Sequence, residues 1–207
     1  MATLERLGVG GLTIVIQAGG SSTRIGRDKG LIQFQGLPLV EYVLRQVDGL
    51  GDDRILISNQ PEKYRQFGLP VYEDVLPGTG SLGGLYSAIY YAPQDYCLVL
   101  ACDMPFVNRP LLEHMIGIST GFDAVVPNLG EGSYFEPFRA IYRKTCLHAI
   151  RNALDAGKRR MICFFDDVDV CVLEPEEIKR FDYDARSFFN INTQEDLEQA
   201  ETLARQK

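Results

Sequence analysis

Three cations, Arg24, Arg27 and Lys29, stand within six residues just after the glycine pair Gly19-Gly20. These residue types suit phosphate binding. Glycines let backbone N–H groups come close to a ligand. An arginine fork grips phosphate at two points, and a lysine supplies a compact charge. Arg24 and Lys29 are the candidate phosphate ligands; Arg27 and its neighbour Asp28 pair with each other or face water. The ordinary alternative is a flexible connection, which glycine and serine alone would favour. The stretch is not a Walker loop, because Gly26 is followed by Arg27 rather than by Lys and Ser/Thr.

Asp103 is the second candidate. It follows 96–101, among the most apolar runs of the chain, and precedes Met104-Pro105. A carboxylate there can cap a turn. At the end of a central strand beside phosphates, it can instead bind Mg²⁺, which bridges carboxylate and phosphate oxygens. A third stretch, Gly78-Thr79-Gly80-Ser81-Leu82-Gly83, has the glycine spacing of a dinucleotide fingerprint, with Asp103 at the matching distance. However, Val75-Leu76-Pro77 separates these glycines from the preceding strand, and that fingerprint needs its turn at the strand end.

The elements that must position these groups alternate along the chain. Apolar runs at 12–16, 55–57, 69–73, 96–101, 123–126, 138–142, 162–165 and 168–173 predict strands. Helical patterns cover 38–47, 85–91, 110–118, 145–156 and 193–205, the last capped by Asn192 or Thr193 with Glu195 and Asp196 in its first turn. This alternation predicts an α/β fold with a mostly parallel sheet. Ligands in such sheets bind beyond the carboxyl ends of the strands. The opening loop, the segment 73–84 and Cys102-Asp103 all fall there.

Composition sets limits. The chain has 207 residues, 45% hydrophobic and 24% charged, which predicts one domain with a full core. Acids outnumber lysine and arginine 28 to 21, and the net charge of −7 disfavours nucleic acid or an anionic membrane as the main partner. Five cysteines without a C-x-x-C pair argue against a disulfide framework or thiolate zinc, and predict the cytoplasm. The 12–16 run is too short to span a bilayer.

Taken together, AGGSSTRIGRDKGL, VYEDVLPGTGSLGGLYSAI, LVLACDMPF, EPFRAIYR, AGKRRMICFF and FFNINTQEDL resemble the molybdenum cofactor guanylyltransferase family, in family order from about Leu12 to Leu203. The resemblance implies a Rossmann-like, mostly parallel sheet with helices on both faces, of the nucleotide-diphospho-sugar transferase type. It also implies a single nucleotidyltransferase domain over 1–207, with the nucleotide side mainly in 12–105 and the acceptor side mainly in 106–207. The implied reaction transfers GMP from GTP to the phosphate of molybdopterin-bound molybdenum cofactor and releases pyrophosphate, with Mg²⁺ as cofactor. By resemblance, Gln17, Ala18, Gly19, Gly20, Lys29, Asp74 and Asp103 contact the nucleotide. Arg24, Lys29 and Asp103 carry catalysis, and Asp103 and Asn192 hold the metal. Arg159, Arg160, Asn190 and Asn192 face the acceptor. The partners implied are GTP and the molybdopterin cofactor, with transient contact to cofactor-synthesis or acceptor molybdoenzymes.

Three residues depart from the family pattern: Gln17 replaces a usual leucine, Ile25 a methionine, and Ser81 a proline. They leave a cytidylyltransferase of the same cofactor or a sugar-1-phosphate nucleotidylyltransferase as the neighbouring alternatives, with a dinucleotide-binding oxidoreductase further off. Lys158-Arg159-Arg160 reads equally as a solvated helix end. The attacking phosphate monoester has a second pKa of about 6 and needs no general base at pH 7. His114 and His148 sit on helical segments and offer none.

Overall fold

The computed structural model describes residues 11–18, 28–130 and 134–206. In chain order these form β1 (Leu12–Gln17), the hairpin β2 (Gln33–Phe34) and β3 (Leu37–Pro38), α1 (Leu39–Gln46), β4 (Asp53–Ile57), α2 (Pro61–Tyr64) and β5 (Val71–Tyr72). Then come α3 (Gly80–Tyr91), β6 (Tyr96–Ala101), α4 (Arg109–Ile118), β7 (Ala124–Pro127), β8 (Arg139–Arg143), α5 (Cys146–Asp155), β9 (Val170–Leu173), α6 (Pro175–Ile178) and α7 (Gln194–Arg205).

Seven strands build one sheet in the order β5-β4-β1-β6-β8-β7-β9. β1 pairs in parallel with β4 and β6, β4 with β5, and β7 with β9, while β8 runs antiparallel to both its neighbours. The sheet is therefore mostly parallel, as the alternation of elements predicts. The chain grows outward from β1 through β4 to β5, then returns to β6 on the other side. The switch point thus lies between β1 and β6, and its crevice opens at their carboxyl ends.

Alternate residues of β1 face opposite layers. Ile14 and Ile16 pack with Val40, Val43 and Val47 and with α4 residues Leu111 and Met115. Val15 packs with α3 residues Leu82, Leu85 and Ile89 and with α5 residue Ile150. Leu12, Ile14, Val15 and Ile16 are fully buried, and each such side chain contributes roughly 1.5–3 kcal/mol. The strand that ends at the candidate loop is thereby rigidly held.

Most predicted elements stand within a few residues of their expected bounds, and two do not. The strand expected at 162–165 is absent: local bonds Cys163 N–H to Arg160 C=O and Phe165 N–H to Ile162 C=O turn the chain there. Phe164 is fully buried, with its ring edge-on to Phe165 and tilted against Tyr142, so the apolar run seals a turn over the sheet. The helix expected at 85–91 begins at Gly80 instead. Its glycines suit packing better than propensity: a Cβ on Gly83 would fall 1.7 Å from Thr79 Oγ1. The hairpin β2–β3 has no counterpart among the predicted strands; Gln35 and Gly36 turn it with φ of 51° and 78°.

Candidate active site

Lys29 reaches the crevice from a short 3₁₀ turn, Lys29–Leu31. Its neighbours anchor that turn. The Asp28 carboxylate accepts the Tyr64 hydroxyl, whose pKa is raised mainly by burial and then by this bond, so it stays a neutral donor. Gly30 lies against the same ring; a Cβ there would sit 2.5 Å from the Tyr64 oxygen. Asp28 and Gly30 thus grip the scaffold on either side of Lys29 and leave its side chain to project.

The Lys29 ammonium donates to Asp103 Oδ2 at 2.9 Å and to Asn192 Oδ1 at 2.6 Å. Asp103 stands just beyond β6, in a turn tied to its surroundings through the backbone. Cys102 N–H donates to Gln17 C=O at 3.1 Å, and Asp103 C=O accepts Ile191 N–H at 2.8 Å. Ile191 is buried among Phe34, Leu39 and Ala200, which fixes where the next residue, Asn192, emerges. Sites 74 and 163 residues from Lys29 in sequence converge at the switch point.

A second corner lies along the same sheet edge. Asn59, just past β4, donates from Nδ2 to Asp74 Oδ2 at 2.7 Å, and Asp74 N–H donates back to Asn59 Oδ1 at 3.0 Å. Gln17 is buried and donates from Nε2 to Gly84 C=O at 2.7 Å. A Cβ on Gly84 would touch both Gln17 and Asp74 side chains, at 3.4 and 3.8 Å. Gln17 therefore ties the end of β1 to the first turns of α3, whose N-terminus is at the carboxyl edge of the sheet. Sequence reasoning missed Asn59; the signal was its place two residues beyond a strand, the criterion that picked out Asp103.

Gly19, Gly20 and Arg24 lie outside the described residues, as do Arg27 and Ile25. Ala18 closes β1 with its N–H on Ile57 C=O at 2.9 Å. Asn190 donates to Phe188 C=O at 3.5 Å. Arg159 donates to the carbonyls of Leu154 and Lys158 at 3.2 and 2.8 Å and so closes the C-terminal end of α5, with Arg160 exposed beside it. His114 pairs with Glu177 at 2.6 Å and stacks on Phe181, while His148 meets Asn152 at 3.1 Å. Both histidines thus serve local structure. The five cysteines are free thiols, and burial pushes Cys97, Cys102 and Cys146 above the ordinary thiol range.

Asn192 is positioned by the cap of α7. Asp196 accepts from the backbone N–H groups of Asn192 and Thr193, each at 2.8 Å, while Thr193 Oγ1 accepts Asp196 N–H at 3.1 Å. These bonds, the Asn192 one foremost, lower the Asp196 pKa. A lowered carboxylate pKa contributes stability above its unfolded value and loses it as pH falls through the folded value. Asp196→Ala is expected to cost about 1 kcal/mol, or roughly 2–4 °C in Tm, at pH 7. In thermal melts at decreasing pH that gap should close below about pH 4.

The crevice at the switch point of this doubly wound sheet sets an acid at one strand end against a lysine from the neighbouring loop, an arrangement suited to nucleotide phosphates, and comparison with known proteins places the chain among the nucleotidyltransferases. The model of the MobA-like NTP transferase domain matches residues 14–168, and the chain belongs to that family. A probable molybdenum cofactor guanylyltransferase of Clostridium perfringens is 33% identical over 88% of this chain and 92% of its own. One from Pelotomaculum thermopropionicum is 34% identical over 93% of each. The crystal structure of molybdopterin-guanine dinucleotide biosynthesis protein A from Archaeoglobus fulgidus superposes with a TM-score of 0.79 at 28% identity, covering 94% of this chain and all of that one. The 2-C-methyl-D-erythritol 4-phosphate cytidylyltransferase of Thermus thermophilus, at 19% identity and a TM-score of 0.67, shares the fold. Among the described residues, no helix is long and apolar enough to cross a membrane.

Proposed function

We propose that the chain is a molybdenum cofactor guanylyltransferase. It joins GMP from GTP to the terminal phosphate of the molybdopterin-bound cofactor and releases pyrophosphate. The observation that carries this reading is the convergence of Lys29, Asp103 and Asn192 at the switch point. The relatives' names support guanine as the base and molybdopterin as the acceptor.

The acceptor phosphate oxygen bonds to the α-phosphorus of GTP while the α–β phosphoanhydride bond breaks, and the electron pair leaves on pyrophosphate. Because that phosphate is already ionised near pH 7, the protein need not remove a proton. Its task is alignment and charge neutralisation. Lys29 holds the phosphates, with Arg24 from the glycine loop. Gln17 and Ala18 set the strand end, with Gly19 and Gly20 beyond it. Asp74, braced by Asn59, faces the ribose or base. Asn190, Asn192, Arg159 and Arg160 make up the acceptor side.

Mg²⁺ suits this donor set. Among the described residues no cluster of three or more His, Cys, Asp or Glu side chains could hold a metal. Mg²⁺ commonly takes one or two carboxylates plus substrate phosphates. Asp103 Oδ2 and Asn192 Oδ1 are both hard oxygen donors, and both already converge on one cation, the Lys29 ammonium. These two residues would hold the ion, which when bound polarises phosphoryl oxygens and stabilises the leaving group.

Calorimetry with GTP, CTP and ATP in Mg²⁺ tests the base. GTP is expected to bind at least about tenfold tighter, about 1.4 kcal/mol. A preference for CTP would assign the cytidylyl reaction instead. Pyrophosphate release on adding the loaded cofactor tests the acceptor.

A further inference from the structure

β8 carries a cation that the proposed chemistry leaves unused. Arg139 is fully buried (0% exposed), opposite Leu100 near the end of β6. Its Nη2 donates to Met104 C=O at 3.0 Å, and its Nε and Nη1 have no hydrogen-bond partner among the described residues. The guanidinium lies 5.9 Å from the centre of the Phe188 ring. The negative groups around it are Glu136, Asp182 and Asp103; the first two are themselves buried. Burial pulls the Arg139 pKa down to about 10, so the group stays cationic at neutral pH.

A buried, incompletely paired guanidinium is an expensive way to fill space, since an apolar side chain of similar volume commonly does as well or better. What Arg139 touches suggests why it is there. Its hydrogen bond goes to the carbonyl directly after Asp103. Its ring contact is to Phe188, on the segment that leads to Asn192. It therefore joins the two backbone stretches that present the two oxygen donors.

We propose that Arg139 is a positioning residue: its buried guanidinium fixes the turn after β6, and with it the aim of the Asp103 carboxylate towards the bound cation. The proposal rests on Asp103 as the metal-side acid of the proposed function. Arg139 itself touches neither nucleotide nor acceptor.

Arg139→Met removes the charge and the donor while keeping the stem, and Arg139→Lys keeps the charge and one donor. In pyrophosphate-release kinetics, Arg139→Met is expected to lower kcat at least about 30-fold and raise the half-saturating Mg²⁺ about tenfold, with KM for GTP changed less than about threefold. Arg139→Lys should recover kcat to within about fivefold of wild type. A second readout needs no turnover. Amide exchange at Ile191, whose N–H bonds Asp103 C=O, should accelerate in Arg139→Met and return towards wild type in Arg139→Lys. A lowered Tm with unchanged Mg²⁺ half-saturation, or no recovery with lysine, would overturn the proposal. If wild type released no pyrophosphate at any Mg²⁺ concentration, the proposed function would fail on its own. The Ile191 exchange pattern would then decide the positioning role.

Discussion

Asp103→Asn is expected to lower pyrophosphate release by at least about 10³-fold, equivalent to about 4 kcal/mol of transition-state stabilisation. The substitution keeps the side chain's size and removes only its charge. The turn is held by backbone bonds at Cys102 and Asp103, which asparagine retains, so the fold should survive. What disappears is the anion that balances Lys29 and that would hold Mg²⁺. With Asn192 already a neutral donor, the substitution would leave the ion without an anionic protein ligand, and Mg²⁺ usually takes at least one carboxylate. Steady-state kinetics with circular dichroism as the folding control make the test. Wild-type-like turnover in a folded variant would remove Asp103 from the chemistry.

Lys29→Met should weaken GTP binding roughly 30- to 100-fold, or about 2–2.7 kcal/mol, by calorimetry in Mg²⁺. The ammonium is mostly shielded, with side-chain exposures of 19% for Lys29 and 18% for Asp103, so its pairing is stronger than that of an open surface pair. With nucleotide bound, the same charge is available to the phosphates. Methionine preserves the stem but leaves the phosphates without that cation, and leaves the Asp103 carboxylate without its partner. Lys29→Arg is expected to recover only part of the loss, because a planar fork does not reproduce a point charge held between two oxygens. Unchanged GTP affinity in Lys29→Met would exclude the phosphate role.

The two expected effects are read on different measurements, GTP affinity for Lys29→Met and turnover for Asp103→Asn, but they are coupled when both variants are compared in turnover. A double variant should show less than the sum of the two losses, since the residues share one ion pair.

Much of this was legible from local patterns. Apolar runs alternating with amphipathic segments predict the layered sheet, because each strand buried on both faces reads as a continuous hydrophobic stretch. Residues just past those strands are candidates by position, which is how Asp103 and Asp74 stand out. The turn at 161–164 was not legible, because its apolar side chains serve a cover over the sheet rather than a strand. Periodicity cannot separate the two in so short a run. The early start of α3 was hidden for a related reason: Gly83 and Gly84 are poor helix formers chosen for close approach to Thr79 and Gln17.

The sequence by itself determined the fold class, the family resemblance, and the chemical types gathered at the strand ends, since all three depend on residue order and spacing. Only the tertiary structure decided which of those residues meet. It placed Lys29 against Asp103 and Asn192, 74 and 163 positions away along the chain. It turned Gln17 towards Gly84, paired Asn59 with Asp74, and set Arg159 on the end of α5. The physical reason is that such contacts follow from strand order and core packing. Those long-range pairings are cooperative, and no window of neighbouring residues contains them.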